Sequence, residues 1–85
     1  MKAYQVLLPG ETEGGFVAAE TAGNARYRAF LAAQDANYDF PITKFRVLRA
    51  PDFDKWAMVE TRPRCCFTLD YVQIQMRKLN ETQLH

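Results

Sequence analysis

The run Ala3-Tyr4-Gln5-Val6-Leu7-Leu8-Pro9-Gly10-Glu11-Thr12-Glu13-Gly14-Gly15-Phe16-Val17-Ala18-Ala19-Glu20-Thr21-Ala22 decides the architecture. In an extended chain, Tyr4, Val6 and Leu8 share one face and Ala3, Gln5 and Leu7 the other, so Ala3 to Leu8 reads as a strand apolar on both sides. Pro9 to Gly15 holds glycine, proline, threonine and acids, the composition of a turn. Phe16 to Glu20 resumes as a second strand. The pair predicts a hairpin with a long acidic tip. Thr21 follows as a helix N-cap, its hydroxyl able to accept a first-turn N–H.

Working outward, Ala22 to Asn37 predicts a helix. At ~100° per residue, Ala22, Ala25, Ala29, Ala32, Ala33 and Ala36 fall on one face, which lets the helix axis approach a sheet closely. Tyr27, Phe30 and Leu31 form a bulkier sector that calls for a second contact, such as the C-terminal segment. Asn37 and Pro41 stop the helix, because Asn tolerates a left-handed cap and Pro cannot continue. Ile42 to Arg49 predicts the third strand, with Phe45 and Val47 alternating with Lys44 and Arg46. Asp52 or Asp54 then caps a short helix through Trp56 to Val59, broken by Arg62-Pro63-Arg64. In the last segment, Leu69, Val72, Met76 and Leu79 fit helical spacing, with Thr68 as a cap. The alternation of Val72, Ile74 and Met76 also fits a strand. The Leu, Gln, Met, Arg and Lys content favours helix, with fraying after Asn80.

The order β-β-α-β followed by helices predicts a single α+β domain spanning residues 1–85. A hairpin, then a right-handed crossover that sets the third strand beside the first, gives a three-stranded antiparallel sheet of order 2-1-3. The first helix covers one face. The other needs a cover as well, supplied by the C-terminal helix or by a second subunit.

Composition excludes several classes. The 85 residues carry 11 Lys and Arg against 10 Asp and Glu, a net +1 that selects no partner by bulk charge. No apolar run reaches the ~20 residues of a membrane span, and the apolar stretch near Met1 is too short for a signal peptide. Cys65 and Cys66 are adjacent, which is far from relaxed disulfide geometry. With His85 the only histidine, they also lack the further ligands of a zinc site. They read as reduced thiols of a cytoplasmic protein, at least one of them buried. No metal or cofactor is expected. Acid–base chemistry needs a positioned pair of groups, and no nucleophile motif, P-loop or dinucleotide fingerprint occurs. Pro51-Asp52-Phe53-Asp54-Lys55 has the wrong spacing for a nuclease metal motif, because Lys directly follows the second Asp. An enzyme is not expected.

Two binding surfaces remain. The topology gathers Glu11, Glu13, Asp35 and Asp39 at the tip end of the sheet, with Tyr38 and Phe40 as apolar anchors. Acids at a helix C-terminus oppose the helix dipole, so Asp35 and Asp39 do not serve helix stability. That end suits a basic protein surface. The alternative is nucleic acid. Between Arg26 and Arg64 there are eight Lys or Arg and five Asp or Glu. Lys44, Arg46, Arg49, Arg26 and Arg28 would contact phosphates, and Tyr4 and Phe16 would stack on bases.

The stretch Ala19-Glu20-Thr21-Ala22-Gly23-Asn24-Ala25-Arg26-Tyr27-Arg28, followed by Phe45-Arg46-Val47-Leu48-Arg49-Ala50-Pro51, resembles small uncharacterised proteins encoded by bacteriophages and prophages. In those, a strand leads into an Ala/Arg/Tyr helix and then a basic strand. The resemblance spans about half the chain and carries over no functional residues. It implies a viral accessory protein in the host bacterial cytoplasm, of the group that includes anti-CRISPR and other anti-defence inhibitors. The partner it implies is a host protein or nucleoprotein complex, and a homodimer is compatible with the fold.

Overall fold

The computed structural model describes residues 1–10, 12–60 and 66–83, without the side chains of residues 82 and 83. Strand β1 (Lys2–Leu7) pairs antiparallel with β2 (Gly15–Ala19), Lys2 opposite Ala19 and Val6 opposite Gly15. Helix α1 (Ala22–Asp35) crosses one face and returns the chain to β3 (Arg46–Arg49), which pairs antiparallel with the other side of β1, Tyr4 opposite Arg49 and Leu7 opposite Arg46. The sheet order is β2-β1-β3, the α+β arrangement the sequence predicts. Helices α2 (Asp54–Val59) and α3 (Leu69–Gln83) complete the described chain.

Because β1 is apolar on both faces, two cores form back to back. Tyr4, Val6, Val17 and Ala19 meet Ala25 and Ala29 of α1, together with Phe45. Ala3, Phe16 and Ala18 meet Trp56 and Ala57 of α2, with Phe67 and with Val72 of α3. The second face is thus covered by α2 and α3 of the same chain. Trp56 stands edge-on to Phe67 at 5.4 Å, and Phe67 stacks on Tyr71 at 5.0 Å. Among the described residues the buried Trp56 indole N–H has no partner, which carries a desolvation cost.

Two of the N-caps read from the sequence are present. The Thr21 hydroxyl accepts the Asn24 N–H at 3.1 Å. The Thr68 hydroxyl accepts the Tyr71 N–H at 3.2 Å, starting α3 as a helix and not a strand.

Several expectations need correction. The third strand does not begin at Ile42: Ile42–Lys44 is a 3₁₀ turn, with Lys44 N–H on the Pro41 carbonyl and Phe45 N–H on the Ile42 carbonyl. Lys44 is therefore not a strand neighbour of Arg46. Neither Asp52 nor Asp54 caps α2; Phe53 holds the cap position after a 3₁₀ turn at Pro51–Phe53. Helix α3 continues past Asn80 to Gln83. The bulky sector of α1 does not meet the C-terminal helix, which lies across the sheet; Phe30 packs edge-on to Phe45 at 6.3 Å. Of the six alanines, only Ala25 and Ala29 are buried. Tyr4 and Phe16 are core residues, with no ring face open to stack a base. The breaker Arg62-Pro63-Arg64 and Cys65 lie outside the described residues, and Cys66 is exposed.

Candidate functional site

The end of α1 is shaped by one residue. Asn37 takes φ 65°, the left-handed conformation that Asn tolerates better than most side chains. Its N–H bonds to the Gln34 carbonyl at 3.0 Å, and the Tyr38 N–H reaches back to the Ala33 carbonyl at 2.8 Å. This pair of bonds is the Schellman closure of a helix. It turns the chain away from the axis, so Tyr38-Asp39-Phe40 leaves the helix without regular secondary structure. Tyr38 is 58% and Phe40 38% exposed, and Asp35 and Asp39 are exposed beside them.

The hairpin tip approaches the same end. The Gln5 side-chain amide donates to the Glu13 carbonyl at 2.6 Å, holding the tip against β1. Glu13 itself is exposed, and Glu11 lies outside the described residues. Gly14 lines, with the last turns of α1, a groove of about 570 Å³. Leu8, Ala32, Ala33, Ala36, Tyr38 and Phe45 form much of its wall. The groove arises because the alanine stripe runs on past the sheet contact made by Ala25 and Ala29. A second depression, of about 490 Å³, lies between the tip and the start of α3, and Glu13 and Asp70 both line it. Asp70 thus joins the acidic end. Sequence reasoning missed it, since no local pattern tells where α3 begins relative to the tip.

The basic residues are divided. The Arg49 guanidinium bonds both oxygens of Asp54, at 2.7 and 2.6 Å, and the Ala3 carbonyl at 2.9 Å. It also lies 5.5 Å from the Tyr4 ring centroid. Arg28 donates to the Ala18 carbonyl at 2.8 Å. Arg26 is exposed near the start of α1, at the Lys2 end of the sheet, whereas Arg46 faces Leu7 at the other end. A strand of that length spans ~17 Å, so the basic side chains do not form one patch. Asp54 is turned to Arg49 and to the Ala3 N–H, not toward Asp52 as a shared metal site would require. Among the described residues, no group of three or more His, Cys, Asp or Glu side chains is placed to hold a metal ion, and no helix is long and apolar enough to cross a membrane.

No protein-family model, curated protein or solved structure matches the chain.

Proposed function

We propose that this protein acts by binding and not by catalysis, and that it docks on a basic protein surface through the tip end of its sheet. The observation that carries this reading is the pair of exposed aromatic side chains, Tyr38 and Phe40, bracketing Asp39 beside an open apolar groove. Aromatic anchors supply most of the energy of protein interfaces, and the acids around them set partner choice and association rate. The phage resemblance supports reading the partner as a host defence protein or nucleoprotein complex and the protein as an anti-defence inhibitor of the anti-CRISPR kind, acting in the bacterial cytoplasm.

Affinity capture from a bacterial lysate, with mass spectrometry, identifies the partner, and binding kinetics then test the surface. Tyr38→Ala is expected to weaken binding at least about tenfold, chiefly through faster dissociation. Glu13→Lys with Asp39→Lys is expected to slow association, most clearly at low salt. Unchanged binding in both variants overturns the assignment. If binding is instead lost in Lys44→Glu with Arg46→Glu and falls steeply with salt, the ligand is nucleic acid.

A further inference from the structure

The two edges of the sheet are finished differently. The Ala50 N–H donates to the Ala3 carbonyl at 3.0 Å, which fixes the phase of the β1–β3 ladder. Arg46 and Leu48 turn their backbone groups toward β1, and Val47 and Arg49 turn theirs outward. The same alternation sends the groups of Phe16 and Ala18 outward from β2. There three of the four groups are taken. Phe16 exchanges both bonds with Phe67, at 2.7 and 2.8 Å, and Arg28 occupies the Ala18 carbonyl. On β3, no described residue partners the outward N–H and C=O of Val47 or Arg49.

We propose that β3 pairs antiparallel with β3 of a second copy of this chain, about a two-fold axis at Leu48, joining two three-stranded sheets into one. The Val47 N–H of each copy then donates to the Arg49 carbonyl of the other, and the Arg49 N–H to the Val47 carbonyl. Leu48, 43% exposed in the single chain, meets its own counterpart across the axis. The charges along the edge are ordered for self-pairing. Lys44 and Arg46 precede or begin the strand and Asp52 follows it. Antiparallel pairing sets Arg46 opposite Ala50 and turns the Lys44 and Arg46 end of each strand toward the Asp52 end of the other. No cation faces a cation, whereas a shift of the axis to Arg49 would oppose two arginines, which is unfavourable. An extended acidic peptide would suit Lys44 and Arg46 but would meet Asp52 at the far end. The edge therefore fits its own copy best, and it is distinct from the tip end that carries Tyr38.

Sedimentation equilibrium of the full chain, from about 10 µM to about 1 mM, tests the pairing, together with amide hydrogen exchange. The expected result is a monomer–dimer equilibrium in which Val47 and Arg49 N–H groups gain protection as concentration rises. The Leu48 N–H, already bonded within the chain, should not change with it. Leu48→Lys sets two cations on the axis and is expected to raise the dimer Kd about tenfold or more with an unchanged circular dichroism spectrum. A monomer throughout, with Val47 and Arg49 exchanging at every concentration like loop amides, overturns the proposal. So does a dimer that forms without protecting those two amides, a readout that needs no variant.

Discussion

Asp54 receives three donors at once: the Ala3 N–H at 2.9 Å and two nitrogens of Arg49. It thereby ties the first turn of α2 to the start of β1 and the end of β3. The Arg49 hydrogen bonds, helped by the Ala3 N–H, hold its carboxyl down to about 2 against the opposing effect of burial. A carboxyl whose folded pKa lies below its unfolded value stabilises the protein above the unfolded value and loses that contribution as pH falls through the folded one. Stability is therefore expected to decline between about pH 4 and pH 2. With the pair about one-third exposed, solvent screening limits the change to ~1 kcal/mol. Urea midpoints measured across that range check it, and Asp54→Ala should flatten this part of the profile. Asp54→Asn keeps an acceptor for the Ala3 N–H and is expected to cost less than Asp54→Ala. None of this was legible locally. The sequence offers Asp54 as a cap, but the 3₁₀ turn at Pro51–Phe53 moves it past the cap position and against Arg49.

At the level of the element, α1 separates what a sequence carries from what it does not. Thr21 and Asn37 could be read where they stand, because capping and left-handed backbone depend on the residue and its immediate neighbours. The alanine stripe could be read only halfway. Periodicity says which residues share a face, but not how far the sheet beneath it extends. Ala29 is 3% exposed against Val17 and Phe45 in the core, whereas Ala32 borders the groove. Ala29→Leu is expected to overpack and cost ~1–3 kcal/mol. Ala32→Leu should fit into the groove and shift stability by less than ~0.5 kcal/mol. Thermal melts of the two variants check the contrast, and equal losses would mean that the groove is closed in solution. The third strand shows the same limit. Lys44 and Arg46 alternate in sequence, yet Pro41 leads into a tighter turn that breaks the alternation.

The whole molecule rests on one central strand. Neighbouring residues of β1, Ala3 and Tyr4, belong to opposite cores, so neither core can loosen without disturbing the other. Its apolar residues on both faces made the need for two covers legible, although which helices supply them depends on long-range packing. Trp56 is the only tryptophan and reports from the α2–α3 side. Phe45→Ala removes a ring from the α1 side and is expected to cost ~3–5 kcal/mol. If the two cores are one cooperative unit, Trp56 fluorescence and helical circular dichroism should show the same lowered midpoint. An unshifted fluorescence transition would separate the cores. The unequal finish of the sheet edges has a further consequence at this scale. With Phe67 seated on β2 and β3 open, the proposed pairing would give each copy a valence of one: a single neighbour, and an assembly that ends with the pair. Freeing the Phe16 edge would raise the valence to two. Edge-to-edge contacts that no longer close on themselves propagate, so under that pairing the small rung formed by Phe67 would separate a discrete particle from a growing fibre.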